Sequence, residues 1–109
     1  MNMNATKSGL TPACGRFIDL MQRINFGRIE GLHVLDGEPL LEPPPRVIHE
    51  VKFCRENGPR AEAARAEFAL KAEVIDLFAH MEALGSGVIE RIEIQHGLPF
   101  RMTYVEVFA

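Results

Sequence analysis

A fourteen-residue motif occurs twice in this chain, and that recurrence restricts the possible folds more than any other property of the sequence. Gly27-Arg28-Ile29-Glu30-Gly31-Leu32-His33-Val34-Leu35-Asp36-Gly37-Glu38-Pro39-Leu40 returns sixty positions later as Gly87-Val88-Ile89-Glu90-Arg91-Ile92-Glu93-Ile94-Gln95-His96-Gly97-Leu98-Pro99-Phe100. Gly, Ile, Glu, Gly and Pro hold matched places, and Leu32/Ile92, Val34/Ile94 and Leu40/Phe100 keep apolar character. Upstream, Phe17-Ile18-Asp19-Leu20-Met21 matches Val74-Ile75-Asp76-Leu77-Phe78 with a shift of three residues, which the Leu84-Gly85-Ser86-Gly87 linker is expected to absorb. The pattern predicts an α+β fold of internally duplicated helix-hairpin units. Two helices would pack on one face of a four-stranded, mainly antiparallel sheet. Residues 1–10 are expected to be a flexible leader and 11–109 a single domain, with pseudo-repeats at 11–54 and 59–109.

Local signals place the elements. Thr11-Pro12 reads as an N-cap followed by proline in the first helical turn, where its missing N–H is harmless. Phe17, Leu20, Met21 and Ile24 recur at i, i+3, i+4 and i+7, giving one apolar helix face that ends near Asn25. A strand is expected over 28–35, closed by Asp36-Gly37, two residues that tolerate the positive φ of a primed turn. Pro43-Pro44-Pro45 cannot donate to a ladder, so the chain should leave the sheet there and resume pairing over 46–53. Pro59 suits another first turn, and the run rich in Ala, Glu and Leu to Leu84 predicts an unbroken helix of about 36 Å. Phe68, Leu70, Val74, Ile75, Leu77, Phe78 and Met81 form a wide stripe on it, one side for the sheet and one for a partner. The second hairpin turns at His96-Gly97 and returns over 100–108. Ile29 and Ile89 each stand one step out of phase with the apolar residues that follow, which predicts a bulge or twist in both strands.

Part of this pattern has a counterpart elsewhere. Residues 17–53, with the short helix, the Asn25-Phe26-Gly27 junction, the Arg28-Ile29-Glu30 strand opening and the Asp36-Gly37 turn, resemble the small bacterial YezD-like domains. The likeness covers about a third of the chain, departs at residues 41–45 where the prolines intervene, and is poorer in the second half, where Leu84-Gly85-Ser86-Gly87 replaces the aromatic-glycine step. It implies a helix, strand, turn and strand, and it carries no function or residue roles.

Composition excludes some classes. With 47% hydrophobic and 25% charged residues the 109-residue chain should fold, and as one domain. A net charge of −3 argues against a broad phosphate-binding surface while leaving room for a small basic patch. Cys14 and Cys54 lie forty residues apart with no CxxC, so buried or idle thiols are expected rather than a zinc ribbon or a disulfide framework. No signal peptide and no membrane segment are apparent, and the expected location is cytoplasmic.

The search for chemistry finds no complete constellation. No serine or cysteine has a recognisable base, so no catalytic residue is assigned. No metal and no cofactor is expected: His33, His49, His80 and His96 lack the spacing of a ligand pair, although His33 and His49 could approach across strands with Cys54 and Asp36 nearby. Glu30 and Glu90 occupy matched positions, and if the two first strands lie side by side their mutual repulsion would raise one pKa. Asn57-Gly58-Pro59-Arg60 precedes a helix and could hold an anion, but it lacks a phosphate-loop spacing. Arg46, Lys52, Arg55 and Arg60 form a modest basic cluster. Phe68, Phe78, Tyr104 and Phe108 are candidate interface residues, because the last strand is β-prone and could take another chain along its edge. The leading expectation is therefore a small non-enzymatic interaction or regulatory protein, acting through homo-oligomerisation or a protein partner. A nucleic-acid-binding module using the basic cluster is the alternative, and a small-molecule or metal-dependent enzyme is third.

Overall fold

The structure, a computed structural model, describes residues 11–53 and 71–106. The expectations for the leader 1–10, the helical run over 59–70 and the chain end at 107–109 lie outside the described residues.

Helix α1, Pro12–Ile24, begins where its cap residue predicts. Thr11 is extended (φ −64°, ψ 158°) and its hydroxyl accepts the Cys14 N–H at 3.3 Å, which satisfies one of the donors a helix leaves open at its start. The helix ends at Asn25, where φ is 62° and the N–H donates to the Met21 carbonyl at 3.0 Å. Cys14, Phe17, Ile18, Met21 and Ile24 enter the core.

Helix α2, Ala72–Leu84, corrects the long helix that composition predicts. Lys71 is extended (φ −74°, ψ 155°), so no helix runs unbroken into Ala72. Helix propensity in a run of Ala and Glu does not fix a boundary, because short helices are marginal in water and depend on burial. Within α2 the buried residues are Val74, Leu77, Phe78 and Met81. Phe78 was expected on a side open to a partner; at 4% exposure it belongs to the core. The three-residue shift between the halves is also corrected. Both helices start and end sixty positions apart, so Phe17 and Met21 correspond to Leu77 and Met81 rather than to Val74 and Phe78.

The sheet is built from β1 (Gly27–Leu35), β2 (Glu38–Leu40), β3 (Arg46–His49), β4 (Gly87–Gln95) and β5 (Leu98–Tyr104), all paired antiparallel. It has five strands where four were expected. The order is β2-β1-β4-β5, with β3 also on β1. Since β4 occupies one edge of β1, β2 and β3 share the other. The pairs His33↔Leu40 and Glu30↔Arg46 set three residues of β1 against six of the returning chain. The proline-containing stretch 41–45 absorbs that excess, since proline cannot supply ladder N–H groups. On β4 the return strand gains one residue, between Ile94↔Pro99 and Glu93↔Arg101. Pairing on β3 stops at His49, earlier than expected, because its partner there is Gly27, the first residue of β1.

β1 and β4 form the centre, with Ile29↔Ile92 and Leu32↔Ile89 paired. The buried set on this face is Ile29, Leu32 and Val34 with Ile89, Ile92 and Ile94. The odd three-residue step before Leu32 and Ile92 has a backbone cause. Gly31 has φ 71°, and the β4–β5 register shifts between Ile89 and Arg91, so each strand changes the side it presents. Both helices cover this one face and share one core with it. Fully burying each such aliphatic or aromatic side chain contributes roughly 1.5–3 kcal/mol.

The hairpin tips hold the layers together. Asp36 and Gly37 have φ of 52° and 78°, His96 and Gly97 of 55° and 73°, as primed two-residue turns require. The Gly37 N–H donates to the Gly85 carbonyl at 2.7 Å, and the Gly97 N–H donates to the Asn25 carbonyl at 2.9 Å. Each tip therefore takes up a carbonyl at the end of the helix that belongs to the other half.

Candidate functional site

The face of the sheet opposite the helices is uncovered by any described element, and strand register decides which side chains meet there. Residues flanking the buried positions project onto it: Arg28, Glu30 and His33 from β1, Arg91 and Glu93 from β4. Pairing aligns two rows. Arg46, Glu30 and Arg91 stand side by side across β3, β1 and β4. Arg28, Glu93 and Arg101 stand side by side across β1, β4 and β5. Each row is a carboxylate between two guanidinium groups.

The contacts follow from this arrangement. Arg28 Nε donates to Glu30 Oε2 at 2.8 Å, Arg46 Nη1 lies 3.2 Å from Glu30 Oε1, and Arg101 Nη1 lies 3.6 Å from Glu93 Oε2. The Arg28 hydrogen bond, with the charges of Arg28, Arg46 and Arg91, holds the Glu30 carboxyl below its ordinary pKa against a smaller opposing effect of burial. The side chains of Glu30 and Glu93 are 25% and 28% exposed, those of Arg28, Arg46 and Arg101 46%, 79% and 62%. The carboxylates are thus recessed and the guanidinium groups stand outward.

The pairing of Glu30 with Glu90 is overturned. β1 and β4 do lie side by side, but the register sets Glu30 against Arg91, so Glu30 meets cations and its pKa moves down, not up. Glu90 sits exposed at the register shift between Ile89 and Arg91. His33 and His49 do not approach each other either. They pair with Leu40 and Gly27, six residues apart along β1, which is roughly 20 Å of strand. Among the described residues no group of three His, Cys, Asp or Glu side chains could hold a metal ion. Cys14 is buried, and burial raises its thiol pKa.

The expected basic cluster is divided. Arg46 engages Glu30, whereas the Lys52 ammonium lies 5.2 Å over the Phe26 ring, which meets His96 edge to face at 4.9 Å. Arg55, Arg60, Cys54 and the Asn57-Gly58-Pro59-Arg60 loop lie outside the described residues. Arg28, Arg91 and Arg101, which sequence reasoning did not single out, complete the rows with Arg46. Arg28 and Arg91 each precede a buried isoleucine, which marks them as surface residues, but only register sets the arginines of each row about a shared carboxylate.

A second candidate lies along β5, where Arg101, the last residue of one arginine row, also lines it. The outer edge of β5 carries no paired strand among the described residues, and beside it a groove of about 390 Å³ opens towards α2. Glu73, Asp76 and His80 line it from the helix, Phe100 and Tyr104 from the strand. Phe100 and Tyr104 are 54% and 45% exposed, and the Arg101 guanidinium sits 5.2 Å over the Phe100 ring. The His80 Nδ1 is 2.9 Å from the Asp76 carbonyl oxygen. Of the candidate interface residues, Tyr104 is therefore at this edge and Phe78 in the core, while Phe68 and Phe108 lie outside the described residues. No protein-family model, no curated protein and no solved structure matches this chain. No helix among the described residues is long and apolar enough to cross a membrane.

Proposed function

We propose that this chain is a small non-enzymatic interaction or regulatory protein of the cytoplasm that docks a protein partner, a second copy or another chain, along the flank formed by α2 and β5. One observation carries the reading: a seven-residue edge strand with exposed Phe100 and Tyr104 borders a groove lined by Glu73 and Asp76. Edge strands offer unpaired N–H and C=O groups to an added strand. Aromatic side chains supply the apolar anchor such contacts depend on. The cytoplasmic part of the proposal rests on two cysteines without a disulfide framework.

The same proposal includes internal duplication. Its support is that both helices, β1 and β4, the two turns and the starts of β2 and β5 recur sixty positions apart, that Ile29/Ile89, Met21/Met81, Gly37/Gly97 and Pro39/Pro99 are identical, and that the tip contacts are reciprocal. The likeness of residues 17–53 to YezD-like domains stays a proposal beside it.

The test uses the full chain. Sedimentation velocity reads self-association, and capture on immobilised protein followed by mass spectrometry reads a foreign partner. Phe100→Glu and Tyr104→Lys are each expected to weaken the complex about tenfold or more, while Arg46→Ala at the far edge leaves it unchanged. A chain that remains monomeric over a wide concentration range, and retains nothing that Phe100→Glu releases, refutes the reading.

A further inference from the structure

We infer that the open sheet face is a binding surface for the phosphate backbone of single-stranded nucleic acid, held by Arg28, Arg46, Arg91 and Arg101. This goes beyond protein docking at the α2–β5 flank: three of the four arginines lie away from that groove, and Arg101 borders both surfaces.

Four guanidinium groups against two carboxylates leave the two rows with a surplus of positive charge, in a chain whose net charge is −3. The exposed Glu90 beside Arg91 reduces the surplus without cancelling it. Glu30 and Glu93 are recessed beneath the cations they contact, so they are positioning residues. Each engages one side of a guanidinium group and leaves its outer N–H donors for a ligand. A guanidinium presents five donors in a fixed fork that matches phosphate oxygens in pairs. Arg46 and Arg91, separated by one strand, stand roughly 10 Å apart, as do Arg28 and Arg101 in the next row. This spreads the cations over the length of a few nucleotides. Among the described residues the face is formed by strands alone, with no protruding helix to enter a duplex groove, which favours an extended strand over a double helix. Contacts of this kind read the backbone, so little base preference is expected.

Fluorescence anisotropy of the full chain with a labelled oligo-dT of about twenty nucleotides tests this, with oligo-rU, a duplex of equal length and inorganic polyphosphate as competitors. Four contacted phosphates give a slope of log affinity on log salt near −3, which is about a 50-fold loss between 50 and 200 mM salt. Arg28→Ala with Arg91→Ala should shallow the slope by about 1.4 and weaken binding at low salt. Thr103→Arg, which extends the Arg46–Glu30–Arg91 row on β5, should steepen the slope by about 0.7 and tighten binding. That gain cannot be mistaken for misfolding. Arg16→Ala, on α1 and away from this face, should change nothing. The inference is overturned by absence of binding at low salt, by binding indifferent to both the arginine removals and Thr103→Arg, by preference for the duplex, or by a response to polyphosphate alone.

Discussion

Gly27 and Gly31 are four residues apart on β1 and are required for different reasons. A Cβ at Gly27 would overlap the Ile48 carbonyl oxygen of the neighbouring strand, and backbone cannot swing aside. At Gly31 a Cβ would meet nothing within 4 Å, but φ is +71°, a left-handed conformation that costs an L side chain roughly 1–2 kcal/mol. Gly27→Ala is therefore expected to cost about 3 kcal/mol, at the upper end for overpacking, and Gly31→Ala about 1 kcal/mol. Urea denaturation would check the order, and equal losses would contradict the steric account. Glu30 gives a pH prediction at the same scale. Its folded pKa lies below the ordinary value of 4.5, so between the two values the unfolded chain binds more protons and stability rises with pH. The contribution is complete above the unfolded value and is lost as pH falls through the folded one. Glu30→Gln should flatten the acid limb of the stability curve below about pH 4.5; an unchanged limb would mean that the arginine contacts do not act on this carboxyl.

The two helices differ most at their starts. Thr11 caps α1 through its hydroxyl, whereas Lys71 holds the same extended conformation at the start of α2 with no side-chain cap. A lysine there offers no acceptor and places a cation at the positive end of the helix dipole. Lys71→Asp should raise the thermal midpoint, by the equivalent of about 1 kcal/mol, and Thr11→Ala should lower it by a similar amount. A destabilising Lys71→Asp would show that this helix end is satisfied in another way. These caps also separate what the sequence discloses from what it conceals. α1 was legible because Thr11-Pro12 and the apolar spacing from Phe17 to Ile24 mark its start and its buried face. The turns at Asp36-Gly37 and His96-Gly97 were legible because few residues tolerate positive φ. The start of α2 was not, since the sequence on either side of Lys71 has similar helix propensity and nothing in it marks the extended conformation of Lys71. The arginine rows were hidden for a related reason: a shift of two residues between β1 and β4 would keep the same faces of the strands buried yet set Glu30 against a different neighbour, so the alternation of apolar residues fixes the face but not the partner.

At the scale of the molecule the core belongs to neither half. Phe17, Ile18 and Met21 from the first and Leu77, Phe78 and Met81 from the second converge on β1 and β4, which are each other's central partners. The recurrence of the motif predicts two similar units, and nothing in it says that the tip of each hairpin would meet the end of the helix that precedes the other hairpin. That relation appears only in the Gly37–Gly85 and Gly97–Asn25 hydrogen bonds. Alone, a half would have one helix over a hairpin, with the inward edge of β1 or β4 unpaired and much of its apolar face in water. Chains of that size rarely bury enough surface to offset the entropy of folding, and a lone hairpin is at best marginal. Residues 1–53 and 71–109, prepared as separate polypeptides, should each lack the helical circular dichroism of the intact chain. An equimolar mixture should recover it, with a concentration dependence that the intact chain does not show, because association then pays the entropy that the covalent connection removes. If residues 1–53 fold unaided with α1 formed and its apolar face covered, the shared core is not what holds the halves together, and their likeness would reflect two independently stable units.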